Sequence, residues 1–105
     1  MSHIIEQLYD IIVQRKGAAK DESYVASLFE KGTGKISQKV GEEAVETIIE
    51  AMKNDHDALK QESADLLFHL MILWADKGIQ PKEIFDILED RMGLSGLEEK
   101  RRRSE

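Results

Sequence analysis

The chain has no cysteine, one proline, seven glycines and six aromatic residues in 105. Without cysteine there is no disulfide scaffold, no thiolate metal site and no cysteine nucleophile. So little proline, glycine and aromatic content argues against a many-stranded β fold. No apolar run approaches the length of a membrane span, and the first residues lack the basic-then-apolar pattern of a signal peptide. Positive charge is also in deficit, with 15 Lys and Arg against 21 Asp and Glu. A net charge of −6 argues against nucleic acid as a partner, because phosphate backbones want a basic face. What is present, 41% apolar and 34% charged residues, suits one small core. The expectation is a single soluble, intracellular, all-α domain over residues 1–93. Residues 94–105, with Lys100, Arg101, Arg102 and Arg103, read as a mobile basic tail, in which Ser95 and Glu98 are placed to cap a short helix.

Apolar spacing and capping residues divide the chain into about five helices. Ile4, Leu8, Ile11 and Ile12 recur at helical spacing, with Ser2 placed to cap and Gly17 to stop. Ser23 is an N-cap for a short helix carrying Tyr24, Val25, Leu28 and Phe29, which Gly32 ends. Residues 31–35 look superficially like a phosphate loop, but they lack the Walker spacing and no strand precedes them; they read as a hinge. A long amphipathic helix spans residues 35–52 and ends near Asn54. Asp55 or Asp57 caps the next, which runs to Gly78. Pro81 opens a last helix with Ile84, Ile87 and Leu88 on one side, and Gly93 beyond it. Short connections favour an antiparallel bundle.

The two central helices carry the chemistry. At about 100° per residue, Val40, Ala44, Val45, Ile48, Ala51 and Met52 form one apolar face, while Glu42, Glu43, Glu46 and Glu50 share an arc of about 100° with Lys35 and Lys39. The following helix is apolar over most of its circumference, which predicts burial. Its polar remainder is a narrow strip with Glu62, Asp65, His69 and Asp76. Folding the two into a hairpin puts Glu46 level with Glu62 and Glu43 level with Asp65, within about 1.5 Å along the axis. Four unpaired carboxylates at one level repel each other and desolvate badly. A hard divalent cation relieves both problems, and an all-oxygen donor set points to Mg²⁺, with Mn²⁺ as a substitute, rather than zinc. Met52, Met71 and Trp74 read as core, Glu50 and Asp76 as solvated. His69 is balanced between a core-edge role and a ligand-facing one.

Glu42-Glu43, Glu46, a gap of fifteen residues, then Glu62 and Asp65 resemble the acid signature of the all-α, MazG-like nucleotide pyrophosphohydrolases. Ser23-Tyr24, Leu28-Phe29, Lys31-Gly32, Lys35-Ile36, the run from Lys39 to Glu46 and the run from Ala64 to Leu70 resemble, more narrowly, the phosphoribosyl-ATP pyrophosphatase family. Phe68 stands where many members carry Tyr, and Gly34 where a polar residue is common. The resemblance implies hydrolysis of phosphoribosyl-ATP to phosphoribosyl-AMP and pyrophosphate, the second step of histidine biosynthesis. It also implies Mg²⁺ dependence, an α-helical homodimer and a cytoplasmic home. Some members are fused to the cyclohydrolase that acts next, and at 105 residues this chain is expected to be the stand-alone form. Carried over, the metal ligands are Glu43, Glu46, Glu62 and Asp65. Glu42 or Glu46 is the candidate base, Glu42 if Glu46 is a ligand. Lys35 and Lys39 are candidates for the polyphosphate, and Ser23, Tyr24 and His69 for the rest of the substrate. The alternative is a house-cleaning nucleoside or deoxynucleoside triphosphate pyrophosphatase built on the same acids. A ferritin-type bundle would need Glu-x-x-His pairs, and the sequence has none. The uncovered apolar surface of the central hairpin further predicts dimerisation into a shared bundle.

Overall fold

A computed structural model describes residues 3–92. It contains five helices: α1 (Ile4–Arg15), α2 (Tyr24–Lys31), α3 (Thr33–Met52), α4 (His56–Lys77) and α5 (Pro81–Arg91). Among the described residues there is no strand. The expected tail, its Ser95–Glu98 cap and the Gly93 stop lie outside the described residues.

Local chemistry sets most boundaries. Ser23 Oγ accepts from Ala26 N at 3.1 Å, and Asp55 Oδ1 accepts from Ala58 N at 3.0 Å, so Asp55 rather than Asp57 caps α4. Pro81 occupies the first turn of α5, where Gln80 and Glu83 complete a capping box. Gly78 closes α4 in the left-handed region. Two boundaries differ from expectation. His3, through Nδ1 to Ile5 N at 3.2 Å, caps α1, whereas Ser2 lies outside the described residues. The hinge is shorter than residues 31–35 because α3 starts at Thr33, leaving Gly32 alone between α2 and α3. Its φ of 94° is open to glycine and strained for other residues, which allows so abrupt a junction.

The core lies at one end of the α3–α4 hairpin. Tyr9 and Ile12 of α1, Val25 and Leu28 of α2, Ile36 of α3 and Met71, Ile72 and Ala75 of α4 are buried together. Tyr9, off the Ile4/Leu8/Ile11 stripe, is buried and donates its hydroxyl to Ile79 O at 2.6 Å, whereas Ile4 and Ile11 are exposed. At the opposite end of the hairpin, the apolar face of α3 is left exposed by the described residues. Val45 is 55% exposed, Ile48 62% and Met52 79%, so Met52 is not core. Most of the first half of α4 is likewise uncovered; Leu67 is exposed, and full burial begins only at His69. The broad apolar circumference of α4 therefore does not make it a buried helix within the described residues. Ile87 and Leu88 of α5 are exposed as well.

Candidate functional site

With the apolar face of α3 turned outward, its acidic face is left to meet α4. Residues 53–55 join the two helices, which pack antiparallel along their length. One oxygen from each of Glu43, Glu62 and Asp65 lies within 4.8 Å of the other two. Glu43 is 8% exposed. Glu43 Oε2 and Glu62 Oε2 are shut from solvent and have no donor among the described residues. The groups facing them are other carboxylates: Glu46 and Glu43 both lie close enough to Glu62 to share a proton with it. That sharing with Glu46, then desolvation, then Glu43, pushes the Glu62 carboxyl up to about 7. A buried acceptor with no donor is costly, and a pair of them sharing one site keeps a proton that a cation would replace.

The donor set fits a hard divalent ion. Oxygens around one octahedral Mg²⁺ at about 2.1 Å stand about 3.0 Å apart when adjacent and about 4.2 Å when opposite, so the trio has to draw together to hold one ion. Glu46 stands beside the trio, in contact with Glu62, rather than within it. The level matching of Glu43 with Asp65 and Glu46 with Glu62 is thus realised in the hairpin.

The remaining candidates surround this cluster in different ways. Glu42 is exposed and accepts from Gln38 Nε2 at 2.8 Å and Lys39 Nζ at 3.1 Å. Those two bonds, Gln38 first, hold its carboxyl below the usual range. Lys39 also lies 4.0 Å from Glu43 Oε1, so it ties the exposed acid to the buried one. The hydrogen bond to Glu42 pushes the Lys39 ammonium up. Lys35 is half-buried one turn earlier on α3, and its charge acts on Glu42. Ser23 spends an acceptor lone pair on its cap. Tyr24 and His69 meet each other: Tyr24 Oη is 2.8 Å from His69 Nε2. His69 is buried, and its Nδ1 is 2.7 Å from the Asp65 carbonyl oxygen.

Two acids expected to be solvated are not. Glu50 is half-buried one turn beyond Glu46, with Oε1 3.3 Å from Lys53 Nζ. Asp76 accepts from Thr33 Oγ1 at 2.5 Å, linking the end of α4 to the uncapped start of α3. Periodicity could not reveal either arrangement, but the position of Glu50 on the same arc as Glu43 and Glu46 was a usable signal. A cavity of about 350 Å³, lined by Leu8, Ile11, Arg15, Ser23, Tyr24 and Phe68 among others, opens on the side of Tyr24.

Known proteins with this sequence pattern agree on one family. The family described as "Phosphoribosyl-ATP pyrophosphohydrolase" matches residues 5–92, which is most of the chain. A phosphoribosyl-ATP pyrophosphatase of Azospirillum brasilense is 53% identical over 100 residues, 95% of this chain and 90% of the relative. One of Paramagnetospirillum magneticum is 50% identical over 103 residues, 98% of this chain and 94% of the relative. One of Zymomonas mobilis is 50% identical over 90 residues, 86% of this chain and 84% of the relative. With five helices, facing acids and similarity along nearly its whole length, the chain belongs to the phosphoribosyl-ATP pyrophosphohydrolase family.

Proposed function

We propose that this chain hydrolyses phosphoribosyl-ATP between the α- and β-phosphates, releasing phosphoribosyl-AMP and pyrophosphate, as a step of histidine biosynthesis in the cytoplasm. The observation that carries the chemistry is the Glu43–Glu62–Asp65 cluster, with its donorless buried oxygens and a proton held near neutrality. The names and coverage of the relatives carry the choice of substrate. Glu43, Glu62 and Asp65 would hold Mg²⁺, or Mn²⁺ in its place, with Glu46 as a fourth acid. When bound, the ion supplies positive charge against the polyphosphate and acidifies nearby water.

The chain's own residues divide the rest of the work. Glu46 adjoins the trio without being in it, which suits it to take the proton of the attacking water. Glu42, ionised and already accepting two bonds on the exposed side, suits the base role less and the steering of Lys39 more. Lys39 exchanges its partners Glu42 and Glu43 for phosphate oxygens when the anionic substrate arrives, and Lys35 adds charge one turn away. Ser23 remains available to the substrate only through its hydroxyl hydrogen and second lone pair, because its cap bond is already made.

The exposed apolar stripe of Val45, Ile48, Ile49 and Met52, together with Leu67, supports a homodimer in which two hairpins form a shared bundle. Both faces of the hairpin then have a use, acids inward and apolar residues against a second copy.

Pyrophosphate release tests the reading. Phosphoribosyl-ATP should be turned over with Mg²⁺ and not in EDTA, and ordinary or deoxynucleoside triphosphates should be poor substrates. Activity confined to those triphosphates would overturn the choice of substrate.

A further inference from the structure

Tyr24 and His69 are far apart in sequence and come from different helices, yet each uses its polar end on the other. Tyr24 is the first residue of α2, directly after the Ser23 cap, so its backbone is fixed at a rigid helix start. The residue is 51% exposed, and its ring stands edge-on to the imidazole, with centroids 5.8 Å apart. The other end of the imidazole reaches the Asp65 carbonyl one turn back along α4. A carbonyl can only accept, so Nδ1 carries the hydrogen. In the neutral ring Nε2 is then an acceptor, and the Tyr24 hydroxyl donates to it. Burial, opposed by Lys39, leaves the phenol with a raised pKa, so that hydroxyl keeps its proton. The result is a chain of two bonds, O–H to N and N–H to O=C, running from α2 to the turn of α4 that displays Asp65.

We propose that Tyr24 and His69 are positioning residues, a hydrogen-bonded strut from α2 that fixes the turn of α4 bearing Asp65 and so aims its carboxylate at Glu43 and Glu62. The strut rests on the reading of that cluster as a divalent-cation site. It gives α2 a task that capping and packing do not explain, because a half-exposed tyrosine contributes little to the core. It also assigns both residues a role without direct contact to substrate: they act through Asp65.

Mn²⁺ uptake, followed by the electron paramagnetic resonance signal of the free ion with no nucleotide present, separates the possibilities. Tyr24→Phe removes one hydroxyl and leaves the ring. His69→Asn keeps a donor near the position of Nδ1 for the Asp65 carbonyl and loses the reach to Tyr24. Each variant should weaken Mn²⁺ binding by about 3- to 10-fold, the range for net loss of one neutral hydrogen bond. The double variant should be no weaker than the single ones, because both delete the same bond. In Tyr24→Phe, added Mn²⁺ should restore kcat while KM for the nucleotide stays near wild type. Unchanged Mn²⁺ uptake with a raised KM would make Tyr24 a substrate contact and overturn the strut. A wild-type chain that takes up no Mn²⁺ would overturn the metal reading and the strut together. Circular dichroism checks the fold of each variant, and Tyr24→Phe alone decides the matter if His69→Asn does not fold.

Discussion

Loading the acid cluster with Mg²⁺ should expel a proton, and the yield should depend on pH in a way set by Glu62. Glu62 titrates near 7 in the metal-free chain because Glu46 and Glu43 share its proton and because it is desolvated. A carboxylate must give up that proton to ligate a metal. A group with a pKa of about 7 is about 90% protonated at pH 6 and about 10% protonated at pH 8. Binding therefore releases about 0.9 proton at pH 6 and about 0.1 at pH 8. The apparent dissociation constant carries a factor of about 11 at the lower pH and about 1.1 at the higher, so affinity tightens about tenfold across the interval. Titration calorimetry in buffers of unlike ionisation enthalpy counts these protons directly, since the observed heat varies with the buffer in proportion to the protons released. Glu62→Gln should abolish the buffer dependence and flatten affinity against pH. Equal affinity at pH 6 and pH 8, with no buffer-dependent heat, would show that no shared proton stands where the ion binds.

The same proton should stabilise the metal-free fold on the acid side. Glu62 rises from 4.5 to about 7 on folding, so its contribution is full below the lower value and lost as pH rises through the upper one. Melting in EDTA should be higher at pH 5.5 than at pH 8, and Glu62→Gln should narrow the difference. Ile36, fully buried where α3 joins the core, should cost about 2–5 kcal/mol when replaced by Ala, read as a lowered denaturant midpoint with unchanged slope. Tyr9→Phe removes the bond to Ile79 O and should cost about 1 kcal/mol by the same measurement. If two hairpins pair through α3, Ile48→Glu should weaken the dimer at least 100-fold, since each copy loses about 1.5–3 kcal/mol of burial and the contact occurs twice. Sedimentation would show this as a shift to monomer; a monomeric wild type would contradict the pairing.

Much of the helical layout was legible because the signals are local. Ser23, Asp55, Gly78 and Pro81 act through bonds or dihedrals within a few residues of themselves, and those survive any tertiary arrangement. The acid cluster was legible for a related reason: a three-residue turn fixes the register of α3 and α4, so equal distances from the turn become equal heights. What the sequence hid depends on contacts between distant segments. The early start of α3 is tied to Asp76 through Thr33, and the burial of Tyr9 to the chain beyond α4. Tyr24 read as a separate substrate candidate and His69 as balanced between a core-edge and a ligand-facing role, because a hydrogen bond between α2 and α4 leaves no periodic trace. Met52 illustrates the opposite error. Its helical phase identifies an apolar face, but phase cannot say whether that face is covered by the same chain.

The most direct test is the position of a divalent ion itself. Crystals grown with Mn²⁺ should give an anomalous peak bounded by Glu43, Glu62 and Asp65, with oxygens at about 2.2 Å and Glu46 alongside. A peak elsewhere in the hairpin, or a protein that turns over phosphoribosyl-ATP with this cluster empty, would contradict the account.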